Sequence, residues 1–502
     1  MNLYFKKIFK KDYLFLCLIL ILGLVLRLEG VFTGSFAFTY DVGRDMLSLW
    51  SMVYDHKLSL IGPTTGIEGV FYGPWWYLIL TPFFVIFNGN PQGIAFSMAV
   101  FGILTIILSY YFGKKISGSF LGLVLAFLIS FSPILISLSS QIWNPNIAPL
   151  LVILTFIILE RIYVLNKKSK SIYFFLLGFL LFLNIDVEIL WGILFLIGIV
   201  FSILVILGRK IRIGHIIFFF VGGIIILLPR IIFELRHSFI MSKAFLRFFG
   251  KDTLEDKLDL YHFLENRFNT HLDQFSNVFF PQRNILEIFL LIFSIVVIIL
   301  FYKKASVLIK NFILTSVITL LVFYIGSIIF TNALWPHYFV GLPILYIFLV
   351  SISLFIAYKR IKIKIIIFLI LAMFFLINVN SFSIINNFQK PLWEGDASVY
   401  RNQLKVVDYI YKDANTQNFK YELYTPPVFD NTYQYLFKWY GNKQYGYLPV
   451  KKADIMYFII EADPGYPDRP RWWLEAREGD GRVVSSKKLN GDIVVQKRTD
   501  LK

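Results

Sequence analysis

Long apolar runs alternate with short polar breaks through the first three quarters of this chain. Eleven of them approach the roughly 20 residues that a helix needs to cross a bilayer. They fall at about 13–29, 94–113, 119–137, 146–165, 172–185, 188–208, 215–233, 285–302, 309–330, 338–357 and 361–379, the fifth being short. Trp75 to Phe87 is apolar as well, but too short to span.

The distribution of lysine and arginine sets a direction for these spans. With the N-terminus inside, the inner loops carry Lys114 and Lys115, then Arg161 with Lys167, Lys168 and Lys170, then Arg209, Lys210 and Arg212. Lys303, Lys304 and Lys310 follow, and finally Lys359, Arg360, Lys362 and Lys364. The short outer connections at 139–146, 186–188 and 331–337 have no lysine or arginine, as the positive-inside rule requires. If Trp75 to Phe87 spanned, every later loop would invert. It is therefore expected as a helix in the outer interface, with Trp75, Trp76 and Tyr77 at headgroup level.

Two long outer loops follow from this topology, 30–91 and 234–284. The second contains Arg236 and His237, a charged amphipathic run Lys251 to Asn269, and Pro281, and reads as short helices. Beyond residue 380 the chain becomes rich in Asp, Lys, Tyr, Trp and Gly. Helical periodicity marks Val399 to Asp413, and strand signals mark Tyr421 to Tyr424, Ile455 to Ile460 and Asp492 to Gln496. The expected architecture is an α-helical polytopic membrane protein with about 11 transmembrane helices in residues 1–380, and a small α/β extracytoplasmic domain in 381–502.

Composition supports this reading. The chain has 502 residues, 57% hydrophobic and 16% charged, against about a quarter charged in soluble domains. A formal charge of +17 would suit nucleic acid, but the basic residues are confined to loops between spans, so nucleic acid is not expected as a partner. Cys17 is the single cysteine, so no internal disulfide can form. Lys6, Lys7, Lys10 and Lys11 precede the first apolar run with no small-residue cleavage site after it, which predicts an uncleaved anchor in the plasma membrane.

Candidate chemistry concentrates where the outer polar breaks meet helix ends. The first outer loop carries Asp41, Arg44, Asp45, Asp55, His56 and Glu68, with turns at Gly62-Pro63 and Gly73-Pro74. On the same side lie Asn144 and Asn146, Asp186 and Glu188, Arg230 and Glu234, and His337 with Tyr338. Charged groups this close to hydrocarbon usually line a cavity, so their convergence predicts a pocket. Trp143, among them, reads as an interface anchor. Asp41 and Asp45 are four apart and would share a helix face, either as an acid and base pair or with one acting as a base toward an acceptor hydroxyl. A departing phosphate would be met by Arg44, Arg230, Arg236, His237 or His337. No zinc spacing, phosphate-cradling glycine loop or nucleophile elbow occurs. A divalent cation, Mg or Mn, stays open, since carboxylates serve equally as bases and as ligands.

TYDVGRD after the first span, YGPWWYLILTPFF, and a late HYFVGLP segment resemble the GT-C class of membrane glycosyltransferases, in particular the bacterial protein O-mannosyltransferase and aminoarabinose transferase-like family. The resemblance covers about residues 10–380. It implies transfer of a sugar from a polyprenyl-phosphate donor, with inversion, to a glycan, lipid or protein acceptor on the outer face. The family's first-loop base falls on Asp41, with substrate contacts expected from the other outer residues named above, Glu68 and Tyr72 included. Two departures stand out. Val42 follows Asp41 where many members have a second acid, which keeps Asp45 as an alternative base. Tyr72-Gly73 stands before Pro74 where other members place a Lys or His, leaving the donor phosphate to Arg44, Arg236 or His337. A transporter or flippase is the competing reading, followed by a membrane hydrolase or polysaccharide polymerase.

Overall fold

The computed structural model describes residues 11–164, 171–249, 260–280, 285–361, 364–381, 396–426 and 429–499. Lys6, Lys7, Lys10, Lys167, Lys168, Lys170, Lys362, Pro281 and the 251–259 part of the Lys251 to Asn269 run lie outside them. Each of the eleven apolar segments falls on a helix. Eight are long and apolar enough to cross a membrane, from Lys11–Thr33 to Leu342–Ile361. Ser119–Phe131, Ser171–Val187 and Lys364–Val379 are shorter apolar helices. Many large apolar side chains on Lys11–Thr33, Ile213–Arg236 and Ile285–Phe301 remain exposed, which is stable only where lipid takes the place of water.

Four elements position the end of the bundle that carries the candidate residues. We label the first span α1 (Lys11–Thr33), the loop helices α2 (Tyr40–Val53) and α3 (Trp75–Ile86), and the next span α4 (Pro91–Ser117). Pro91 opens α4, and the Asn90 side chain accepts from the Gln92 backbone N–H, so helix entry is both pre-set and capped. At about 1.5 Å rise per residue the 12 residues of α3 are too short to cross a bilayer. Trp76 and Tyr77, expected as interface anchors, are buried in protein, with their polar edges bonded to the Asp45 carboxylate.

The C-terminal part is a four-stranded sheet of order β1-β2-β4-β3, with strands β1 (Phe419–Tyr424), β2 (Ile455–Ile460), β3 (Arg482–Lys488) and β4 (Val494–Thr499). β1 pairs parallel to β2, and β4 runs antiparallel to both β2 and β3. Tyr400–Ala414 is the expected helix. β3 went unrecognised in the sequence because RVVSSKK is exposed along its whole length and shows no alternation.

This unit is tied to the first outer loop by backbone. Phe38 N–H donates to Ser398 O at 2.7 Å, and Tyr400 N–H to Phe36 O at 3.1 Å. Trp439 Nε1 donates to Asn88 O at 2.9 Å and Asn431 Nδ2 to Tyr40 O at 3.3 Å. α2 meets the Asn431–Leu436 helix at Gly43, where a Cβ would lie 2.5 Å from Thr432 N. Glycine at 43 is therefore what allows the two backbones to touch.

Candidate functional site

α2 presents its carboxylates through one arginine. Arg44 Nη1 contacts Asp41 Oδ1 at 2.7 Å, and Nη2 contacts Asp45 Oδ1 at 2.9 Å. Arg44 also donates to Thr64 Oγ1 at 2.6 Å, which ties α2 to the far side of its own loop. The two acids then diverge. Asp45 is 3% exposed and accepts from Trp76 Nε1 at 3.0 Å and Tyr77 Oη at 3.2 Å. Burial pushes its carboxyl up and Arg44 pulls it back. Burial works against the Arg44 charge too, but the Asp45 and Asp41 carboxylates outweigh it and hold the guanidinium more firmly protonated. The Asp41 side chain stays 29% exposed and lines a cavity of about 710 Å³ between the loop and the C-terminal unit.

Behind this loop is a second polar layer. Tyr72 Oη donates to Glu188 Oε2 at 2.6 Å, and Asp186 pairs with Arg230 at 3.0 Å. A Cβ on Gly73 would fall 1.9 Å from Asp186 Oδ1, so the Gly-Pro turn passes directly over that carboxylate. Asn144 Nδ2 donates to Val187 O, joining the connections at 139–146 and 186–188, and Asn146 Nδ2 donates to Gln141 O within the first of them. Tyr338 lies within reach of the Glu188 charge. His337 packs edgewise on Trp143 at 4.9 Å, and burial lowers it to about 4. It is therefore neutral near pH 7 and offers a hydrogen bond rather than a positive charge.

Of the expected site residues Asp41 is the one that lines this cavity, and four of the others are exposed or held elsewhere. Glu234 accepts from the backbone N–H groups of Met241 and Ser242, and so holds the start of the Ile240–Phe249 helix. His237 stacks on Phe233 at 4.1 Å and bonds its carbonyl. Glu68 is exposed, as is Arg236. Among the described residues no group of three or more His, Cys, Asp or Glu is arranged for a metal. Asp41 and Asp45 do not fit a divalent ion, because the Arg44 guanidinium fills the place between them.

Sequence reasoning missed the far wall of the cavity, which includes Gln403, Phe429 and Glu461. Glu461 is 4% exposed and Gln403 2%. Glu461 Oε1 accepts from Tyr433 Oη at 2.9 Å and Gln403 Nε2 at 3.1 Å. Burial pushes its carboxyl up to about 7. The signal available was an acid placed directly after the apolar strand IMYFII.

The backbone arrangement has known counterparts. ArnT from Cupriavidus metallidurans matches over 97% of this chain and 97% of its own, with a TM-score of 0.61 in the apo state at 11% identity. The same protein bound to undecaprenyl phosphate matches over the same shares with a TM-score of 0.60 at 10% identity. The chain has the GT-C fold. The oligosaccharyltransferase of Archaeoglobus fulgidus, in complex with Zn and sulfate, matches over 87% of this chain and 58% of its own at a TM-score of 0.50 and 14% identity. No family model matches the chain, and no curated protein matches it in sequence. At these identities the likeness extends to the path of the backbone and not to individual residues.

Proposed function

We propose that the protein is an inverting glycosyltransferase that moves a sugar from a polyprenyl-phosphate donor to an acceptor hydroxyl on the outer face of the plasma membrane. The observation that carries this reading is the placement of Asp41. It is the one of the two paired loop acids that reaches the cavity, and it does so on a fold shared with membrane glycosyltransferases. The acceptor oxygen attacks the anomeric carbon and its proton passes to the Asp41 carboxylate. The bond from that carbon to the phosphate oxygen breaks, and polyprenyl phosphate departs as an anion needing no general acid. Arg44 aims the Asp41 carboxylate, while buried Asp45 fixes Arg44 through the α3 indole and phenol. Asp45 thus becomes a positioning residue rather than the base. The donor phosphate is met on the Arg44 side of Asp41, with neutral His337, packed on the cavity residue Trp143, as a hydrogen-bond donor.

The positive-inside distribution of the loops supports the outer location of this site and of the C-terminal unit. The test is incubation of the purified protein with radiolabelled polyprenyl-phosphate sugars and candidate acceptors. Transfer with release of polyprenyl phosphate is expected. Movement of an intact lipid-linked sugar across a vesicle bilayer without transfer would favour the flippase instead.

A further inference from the structure

Most of the cavity wall opposite Asp41 belongs to the C-terminal unit, for which nothing so far gives a role. Its lining is acidic but partly compensated. Among the described residues Asp41, Asp396, Glu461 and Asp492 line it and no lysine, arginine or histidine does, while Arg44 and Lys488 pair with Asp41 and Asp492 from outside it. A phosphate brought into this space would find no cation in its lining to offset its desolvation, which costs binding energy. The donor phosphate therefore belongs on the Arg44 side of Asp41, and this space is left for the other substrate.

Two features of the wall point to a hydroxyl-rich ligand. Gln403 Oε1 is buried and has no hydrogen-bond partner, while its Nε2 is fixed on Glu461. An unmet buried acceptor is destabilising, and a ligand hydroxyl would satisfy it. At the rim, Phe429 is 58% exposed and leans on Tyr40 with ring centroids 5.4 Å apart. Such a pair offers a flat apolar face to the C–H side of a sugar ring, beside acids that accept from its hydroxyls.

We infer that the C-terminal unit is the acceptor-binding half of the site, and that its ligand is a neutral or amine-bearing glycan rather than an anionic one. Gln403 and Glu461 bind its hydroxyls, and Phe429 with Tyr40 receives a ring face. The inference rests on the proposed transferase reading, with Asp41 as the base.

The full chain in nanodiscs is titrated with cellotriose, with the glucosamine trisaccharide and with trigalacturonate, followed by saturation-transfer NMR. The first two are expected to bind and trigalacturonate at least about tenfold more weakly. Gln403→Leu, Glu461→Gln and Phe429→Ala should each weaken the first two about tenfold, while the Kd for undecaprenyl phosphate stays within about twofold. Phe429 is exposed, so that variant reports on binding even if the buried pair disturbs folding. Tighter or equal binding of trigalacturonate, absence of binding by all three probes, or indifference to all three substitutions overturns the inference. Glycan binding that obeys this pattern without any sugar transfer would sink the transferase reading alone. Transfer with glycan binding indifferent to the variants would sink only the acceptor site.

Discussion

Replacing Asp41 by Asn separates what the carboxylate does for the reaction from what it does for the fold. Removing a positioned general base lowers turnover about 10²- to 10⁴-fold, which corresponds to about 3–5 kcal/mol of barrier. The structural cost is much smaller. Asp41 and Arg44 form a partly exposed ion pair, 29% and 20% accessible, and such pairs contribute about 0–1 kcal/mol. Arg44 keeps Asp45 and Thr64, so α2 stays in place. Sugar transfer from a polyprenyl-phosphate donor and thermal unfolding of the same preparation measure the two quantities. Transfer within about threefold of the parent protein, a gap far smaller than base removal gives, would refute the role of Asp41. A fall in stability as large as that of a broken buried pair would show that it is structural.

Asp45→Asn should behave in the opposite sense. It unpairs a buried site with three partners, and breaking such a pair costs about 3–5 kcal/mol, read as a large fall in Tm. Gly73→Ala forces a methyl into the Asp186 carboxylate. It should destabilise by a similar amount and release the Tyr72 contact to Glu188, measured by thermal unfolding, whereas unchanged stability would show that the turn tolerates displacement. Glu461 supplies a pH test. Its carboxyl is raised from 4.5 to about 7 in the fold, so its contribution is fully present below about pH 4.5 and is lost as pH rises through 7. The shift is worth at most about 3 kcal/mol, so Glu461→Gln should remove most of a stability decline seen between pH 5 and 8.

The bundle was legible in the sequence because lipid imposes length and polarity on every span. Loop charges such as Lys114, Lys115, Arg209 and Lys210 then ordered the spans. Asp41 stands out in the sequence as an acid just outside the first span, and in the fold it lines the cavity. What could not be read was partnership over long separations. Nothing local marks Trp76 and Tyr77 as donors to a buried acid rather than membrane anchors, since amphipathic rings suit both settings. Gln403 lies within the helix the sequence marks and Glu461 directly after the marked strand Ile455–Ile460, but only folding places them opposite Asp41. The Arg44 bridge joins the two acids, yet the fold separates their settings. Four residues of spacing put both carboxylates on one face, but their burial is decided by α3.

The backbone ties between the first outer loop and the C-terminal unit also constrain the order of events during synthesis. Asn431 and Tyr40 are 391 positions apart, and the wall bearing Glu461 lies still later in the chain. The ribosome must therefore release nearly the whole polypeptide before the pocket around Asp41 can close. Nascent chains and fragments lacking this part would leave Asp41 without its facing wall, so the cavity is complete only once the C-terminal unit has been made and has docked.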